Sequence, residues 1–271
     1  LSPGSFLEFN YKKNAYKIFS YWEMPQSPQI SNVNNFEILE LLKKSLKKQL
    51  RSDVGTGFLL SGGVDSSLLV AIASEISSKK INTYKVSYND DESKVENENA
   101  KLISNKYNTE HEDLIIDKFD ITDFIKILEK FGETINDSSI IPTFCIYNQI
   151  KTKCKVVIGG DGGDELFGGY KHFQNFLIYD FLNSFSKSTI KFFLKHFNNE
   201  FFLNKKGSMY IDLFNSDQNI IDIPNYFNNH ERLNIFKDPE LFYKIDTPKK
   251  TGKDIVIDSM KNSFNNYLPE D

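Results

Sequence analysis

At 271 residues, with 39% hydrophobic, 26% charged and 14% aromatic side chains, the chain is long enough for one large or two small domains without metal or disulfide staples. It is too apolar to be disordered. A net charge of −4 and a pI near 5.7 argue against a nucleic-acid backbone as the main ligand. No apolar run reaches the ~18–20 residues of a membrane span, and no charged-then-apolar leader precedes a cleavage site. Cys145 and Cys154 fit neither a CxxC redox pair nor a zinc cluster, so the expected compartment is the reducing cytoplasm.

In chain order, Gly4–Phe9 and Ala15–Trp22 alternate apolar and polar residues around turn formers at Asn10–Asn14, which predicts a β-hairpin. The polar stretch Pro25–Asn35 is the best boundary. Asn34 with Glu37 then resembles a capping box, and Phe36, Leu39, Leu42, Leu46 and Leu50 mark one face of an amphipathic helix. Its basic residues Lys43, Lys44, Lys47, Lys48 and Arg51 read as a solvated face suited to the helix dipole. From Val54 short apolar runs alternate with helical ones. Strands are expected at Gly57–Leu60, Ile81–Tyr88, Glu110–Ile116 and Lys155–Ile158. Helices are expected at Ser66–Ile76, Glu96–Lys106, Phe119–Phe131 and Pro142–Lys151. Strands separated by helices require parallel crossovers, so the expected fold is α/β, a parallel sheet with helices on both faces. Tyr170–Asp271 reads as a mostly helical C-terminal region, for example at His172–Phe185 and Ser188–Phe197.

Glycine carries the functional message. Of 14 glycines, six (Gly159, Gly160, Gly162, Gly163, Gly168 and Gly169) fall within eleven residues, and Gly62–Gly63 form a second cluster. Each glycine costs conformational entropy on folding, so such bunching means that the backbone must come close to something. Both clusters follow predicted strands, and in parallel α/β sheets ligands sit beyond the carboxyl ends of the strands.

The first cluster, Leu59–Ser67 (LLSGGVDSS), lies between a strand and a helix. Ser61, Gly62 and Gly63 let consecutive N–H groups face a phosphate, the following helix adds its positive end, and Ser66 and Ser67 supply hydroxyls. Asp65 at the helix start would repel a bare phosphate and therefore implies a bridging divalent cation. A simpler reading is a tight glycine turn with Asp65 or Ser66 as a helix cap. No GK[ST] and no GxGxxG after a strand is present, which argues against P-loop and dinucleotide sites. SGGVDSS resembles the signature of the N-type ATP pyrophosphatases, which cleave ATP between the α and β phosphates and transfer AMP.

The second cluster, Val156–Tyr170 (VVIGGDGGDELFGGY), adds Asp161, Asp164 and Glu165. Acids facing a polyphosphate need a hard cation between, and two carboxylates suffice for Mg²⁺; Asp65 and Asp164 are the candidate metal pair. A calcium-binding or solvent-facing acidic loop is the competing reading, but the EF-hand spacing is absent.

This run resembles the second signature of the glutamine-dependent asparagine synthetases. Gly132–Lys151 and Thr109–Leu114 agree with that family too, and the motifs keep the family's order from about Val54 to Lys171. The resemblance implies an adenine-nucleotide-alpha-hydrolase-like fold in which adenine contacts Leu59, Val86, Gly159 and Gly160, and the phosphates contact Ser61, Gly62, Gly63, Asp65 and Ser66. It implies ATP-dependent amidation of a small carboxylate, aspartate in the type enzymes, through an acyl-adenylate that releases pyrophosphate and then AMP. Asp161, commonly Glu in the family, would accept a proton from the attacking amine. Glu133 and Asp137 follow the family pattern near the acceptor.

The opening LSPGSFLEF…YW looks like the end of the family's glutaminase domain. Residues 1–25 are therefore expected to be its remnant and linker, and residues 26–271 the synthetase domain, truncated at its C-terminus. That family's glutaminase half uses an N-terminal cysteine as nucleophile, whereas this chain starts at Leu1 and its first cysteine is Cys145, so ammonia is expected from a glutaminase domain absent from this chain. The family's downstream lysine cannot be assigned, Lys171 reading as a solvated residue; the chain alone is expected to be inactive, and the full-length enzyme to form a homodimer. His111, His172, His196 and His230 lack ligand spacing and read as surface or core. Alternatives are an amidotransferase for another carboxylate such as a uronic acid, a non-catalytic ATP-binding module, and a tRNA-modifying pyrophosphatase, the last disfavoured by charge. No nucleic-acid or membrane partner is expected.

Overall fold

The computed structural model describes residues 1–23, 25, 33–88, 94–116, 120–132, 139–170, 173, 189 and 255–264. Glu133, Asp137, Lys171, His172, His196, His230 and most of the expected C-terminal helices lie outside these residues. The chain divides into two compact units, one of Leu1–Pro25 with Gly162–Glu270 and one of Gln26–Asp161 with Asp271.

In the second unit four strands, β3 (Thr56–Leu59), β4 (Asn82–Tyr88), β5 (Glu110–Ile116) and β6 (Val156–Ile158), pair in the order β5-β4-β3-β6, all parallel. α1 (Asn35–Gln49) precedes β3, and the crossovers run through α2 (Val64–Ile76), α3 (Lys94–Lys106), α4 (Ile121–Phe131) and α5 (Ile140–Ile150). The sheet has two apolar faces because alternate residues of β3 point opposite ways. Phe58, with Leu60 just beyond the strand, packs with Leu46, Val70, Ile72, Ala73 and Ala100 of α1–α3. Leu59 and Val86 pack with Tyr84, Leu114, Ile150 and Cys154 on the α5 side. The parallel sheet covered on both faces is thus observed.

Asn34 caps α1 by accepting from the Glu37 N–H at 2.9 Å. Leu46 is the buried anchor of that helix, with Leu39, Leu42 and Leu50 partly covered. Phe36, expected on the same face, is instead 69% exposed: it lies in the first turn, which extends past the core. Lys43 leaves the solvated face to bond Glu75 of α2 at 2.7 Å, and Lys44, Lys47, Lys48 and Arg51 stay exposed.

In the first unit β1 (Ser5–Asn10) and β2 (Ala15–Ser20) form the expected antiparallel hairpin, with Phe6 stacked on Phe19. Asn10 Oδ1 accepts from Lys13 N–H and Asn14 takes a positive φ of 45°, the turn chemistry that closes the hairpin. Two further helices, α6 (Gly163–Phe167) and α7 (Ile255–Asn262), lie against each other.

Candidate nucleotide site

β3 delivers its chain to the Ser61–Gly63 turn after Leu60 N–H bonds Tyr84 O at 2.8 Å. Gly63 then caps α2 with no side-chain hydrogen bond, so the cap role considered for Asp65 or Ser66 is not taken. A helix start leaves its first N–H groups without intrahelical acceptors; here no side chain supplies one, which is the arrangement an anion fills.

The serines brace the turn. Ser61 Oγ lies 2.9 Å from Ser66 Oγ, Ser66 Oγ accepts from Ser61 N–H at 3.2 Å, and Gly63 N–H donates to Ser61 Oγ at 3.2 Å. Ser66 is buried, 6% exposed, whereas Ser61 and Gly63 are open to solvent. The Ser66 hydroxyl is therefore turned into the loop. Gly62 has φ +87°, and a Cβ there would sit 2.6 Å from Glu96 O and 3.0 Å from Ala100 N of α3; both conformation and space require glycine.

The second glycine turn leaves β6 beside this one, since Phe58 of β3 is registered with Ile158. A Cβ on Gly160 would lie 3.2 Å from both Asp65 Cβ and Ser66 N. The two turns, about a hundred residues apart in sequence (Ser61 to Gly160), thus meet in van der Waals contact at the carboxyl ends of neighbouring strands. Asp65 is half-buried at that junction and Asp161 is exposed. A Cβ on Gly159 would run into the Asp161 carboxylate. Leu59 and Val86, half-buried, lie on the same side of the sheet.

Asp164 belongs to the other compact unit, half-buried in the first turn of α6. Glu165, the third acid of this cluster, is 2% exposed and accepts from Tyr170 Oη at 2.6 Å. That leaves Glu165 a structural group. Among the described residues no three or more His, Cys, Asp or Glu side chains converge on a metal position.

Sequence reasoning missed the polar face of β4. Thr83, Lys85 and Ser87 alternate with Tyr84 and Val86 and are all buried. The period-two pattern was present, but it reads equally as a solvated edge. Cys154 is buried and Cys145 half-buried, both free thiols.

The sequence profile of the family Asparagine synthase matches residues 37–219. A Methanocaldococcus jannaschii protein of the asparagine synthetase (glutamine-hydrolyzing) type is 31% identical over 67% of this chain and 36% of its own. Asparagine synthetase (glutamine-hydrolyzing) 1 of Bacillus subtilis is 30% identical over 51% of this chain and 22% of its own. The chain thus spans little more than a third, at most, of these two relatives. Among solved structures, glutamine-dependent NAD+ synthetase from Acinetobacter baumannii in complex with adenosine diphosphate aligns with a TM-score of 0.38 and 22% identity, over 60% of this chain and 31% of that one.

Proposed function

The chain belongs to the asparagine synthase family, and we propose that it is the synthetase portion of an enzyme that amidates a carboxylate with ATP, converting aspartate to asparagine through an acyl-adenylate. The observation that carries the proposal is the contact of the two glycine turns, Gly160 against Asp65 and Ser66, at the carboxyl ends of β3 and β6.

In this reading the Gly62 N–H and the uncapped start of α2 hold the ATP phosphates, while Ser61, Gly63 and Ser66 shape the turn, the Ser61 and Gly63 N–H groups being bonded to Ser66 Oγ and Ser61 Oγ. Leu59, Val86, Gly159 and Gly160 face the adenine. Asp65 stands beside anion-binding N–H groups, where a lone carboxylate would repel phosphate, so this donor fits a bridging cation. Asp65 and Asp164 would hold Mg²⁺, a pairing that rests on the two sequence motifs. Bound there, the ion would neutralise charge on the β and γ phosphates.

The turns' role is to fix the α-phosphorus for attack by the acceptor carboxylate oxygen; the new O–P bond forms as the bond to pyrophosphate breaks. Ammonia then attacks the acyl carbon, and AMP leaves with the electrons of the C–O bond. The exposed Asp161 carboxylate is free to take the ammonia's proton, and Glu133 is assigned to the acceptor side by its motif alone. Residues 1–25 are read as the end of a glutaminase domain that supplies the ammonia, residues 26–271 as the synthetase domain, and the whole as a cytoplasmic homodimer. The free thiols are in keeping with that compartment. No helix among the described residues is long and apolar enough to cross a membrane.

The test is pyrophosphate release by the full-length protein with Mg-ATP, aspartate and ammonia. Asp65→Asn is expected to lower turnover by about 10²–10³, the scale of losing a preorganised electrostatic group. Turnover that ignores this substitution would remove the reading, and release with another carboxylate but not aspartate would reassign the acceptor.

A further inference from the structure

Beside the apolar contacts of Ala100 and Ile103, α3 is fastened to the sheet by polar side chains. Lys85 Nζ of β4 lies 3.1 Å from Glu96 Oε2, and Ser87 Oγ donates to Asn97 Oδ1 at 2.9 Å. Asp113 of β5, the register partner of Lys85, bonds Lys101 Nζ at 3.1 Å. Lys85 is only 5% exposed and Ser87 6%. Bonds of this kind are directional: they set where α3 stands along and across the strands, which apolar contact, being non-directional, does less sharply.

Glu96 joins this anchor to the nucleotide site. Its side chain meets Lys85, and its carbonyl oxygen is the atom nearest to where a Gly62 side chain would be. The backbone of α3 from Glu96 to Ala100 is therefore the wall on which the phosphate-binding turn rests. We infer that Lys85 is a positioning residue for that turn, holding α3 through Glu96 so that Ser61–Gly63 keeps its anion-binding conformation. The ligand of the turn rests on the proposed function; the mechanical coupling does not.

An apolar residue of similar length at position 85 would leave no buried charge, and replacing a buried ion pair by apolar packing is often neutral or stabilising. This separates positioning from mere stability. Hydrogen exchange of the full chain without nucleotide is expected to show Lys85→Met speeding exchange about three- to tenfold in both the α3 N-terminal turns and the Ser61–Ser66 segment, with the melting temperature unchanged or raised. Glu96→Gln, on a side chain 65% exposed, is expected to speed exchange in the same two segments even if Lys85→Met fails to fold, with a lower melting temperature because the buried Lys85 loses its carboxylate partner. The double variant should be no worse than the stronger single one. The Kd for Mg-ATP should rise by a similar factor. Unchanged exchange in Ser61–Ser66 while α3 loosens, or additive effects of the two substitutions, would overturn the inference. If the wild-type chain fails to bind Mg-ATP yet Lys85→Met still loosens the turn, the nucleotide reading falls and the positioning role of Lys85 stands.

Discussion

Gly160 is where a single added methyl group would crowd the contact between the two turns. A Cβ at 3.2 Å from Asp65 Cβ and Ser66 N must push the turns apart, and valine must do so further. Overpacking of this kind costs about 1–3 kcal/mol. Gly160→Val is expected to weaken Mg-ATP binding by at least about tenfold with a smaller loss of thermal stability, measured by calorimetric titration beside a melting curve.

His111 acts on stability rather than chemistry. Its Nδ1 lies 3.0 Å from Thr83 Oγ1, and its Nε2 is 3.3 Å from Asp113 Oδ1 but not aligned for a hydrogen bond. Burial lowers its pKa and Lys101 adds to that; Asp113 and the Thr83 backbone oppose both. The native ring therefore stays neutral at a pH where the unfolded one, with a pKa of about 6.5, already binds a proton. Stability is full above that value and is lost as pH falls through and below it. His111→Gln should flatten this loss in denaturant titrations between about pH 7 and pH 5.

At the scale of elements, α1 and α2 start in opposite ways. Asn34 satisfies the Glu37 N–H in α1, whereas Gly63 leaves α2 without a side-chain acceptor. An anion at the start of α2, as proposed, would take the place that the Asn34 side chain fills in α1. Asn34→Ala is expected to cost about 1 kcal/mol, read as a lower denaturation midpoint, with the affinity for Mg-ATP unchanged because α1 lies outside the turns. Cys154 shows the opposite kind of contact, buried against Tyr84, whose hydroxyl is pushed up to about 12 chiefly by burial; both groups stay neutral and act as packing.

For the molecule as a whole, the junction of the turns lies in the unit Gln26–Asp161, while Asp164 falls in the unit that contains the hairpin. A ligand that binds only the folded protein stabilises it by mass action, about 2.7 kcal/mol at a hundredfold excess over Kd. Mg-ATP at such an excess should raise the melting temperature of the wild-type chain, and Asp65→Asn should abolish the magnesium-dependent part of that rise. A rise equal with and without magnesium would remove the bridging role of Asp65.

The order of strands and helices from Val54 to Ile158, the parallel sheet and the placing of both glycine turns after strands could be read from the amino-acid chain, because hydrophobic period, glycine clustering and capping are local properties. The sheet order β5-β4-β3-β6, the exposure of Phe36, the inward turn of the Ser66 hydroxyl, the burial of Glu165 under Tyr170 and the Lys85–Glu96 anchor were decided only by tertiary structure. The physical reason is the same in each case. Whether a side chain finds a partner or solvent depends on which element folds over it, and a period of two or 3.6 marks a face without saying what will cover it.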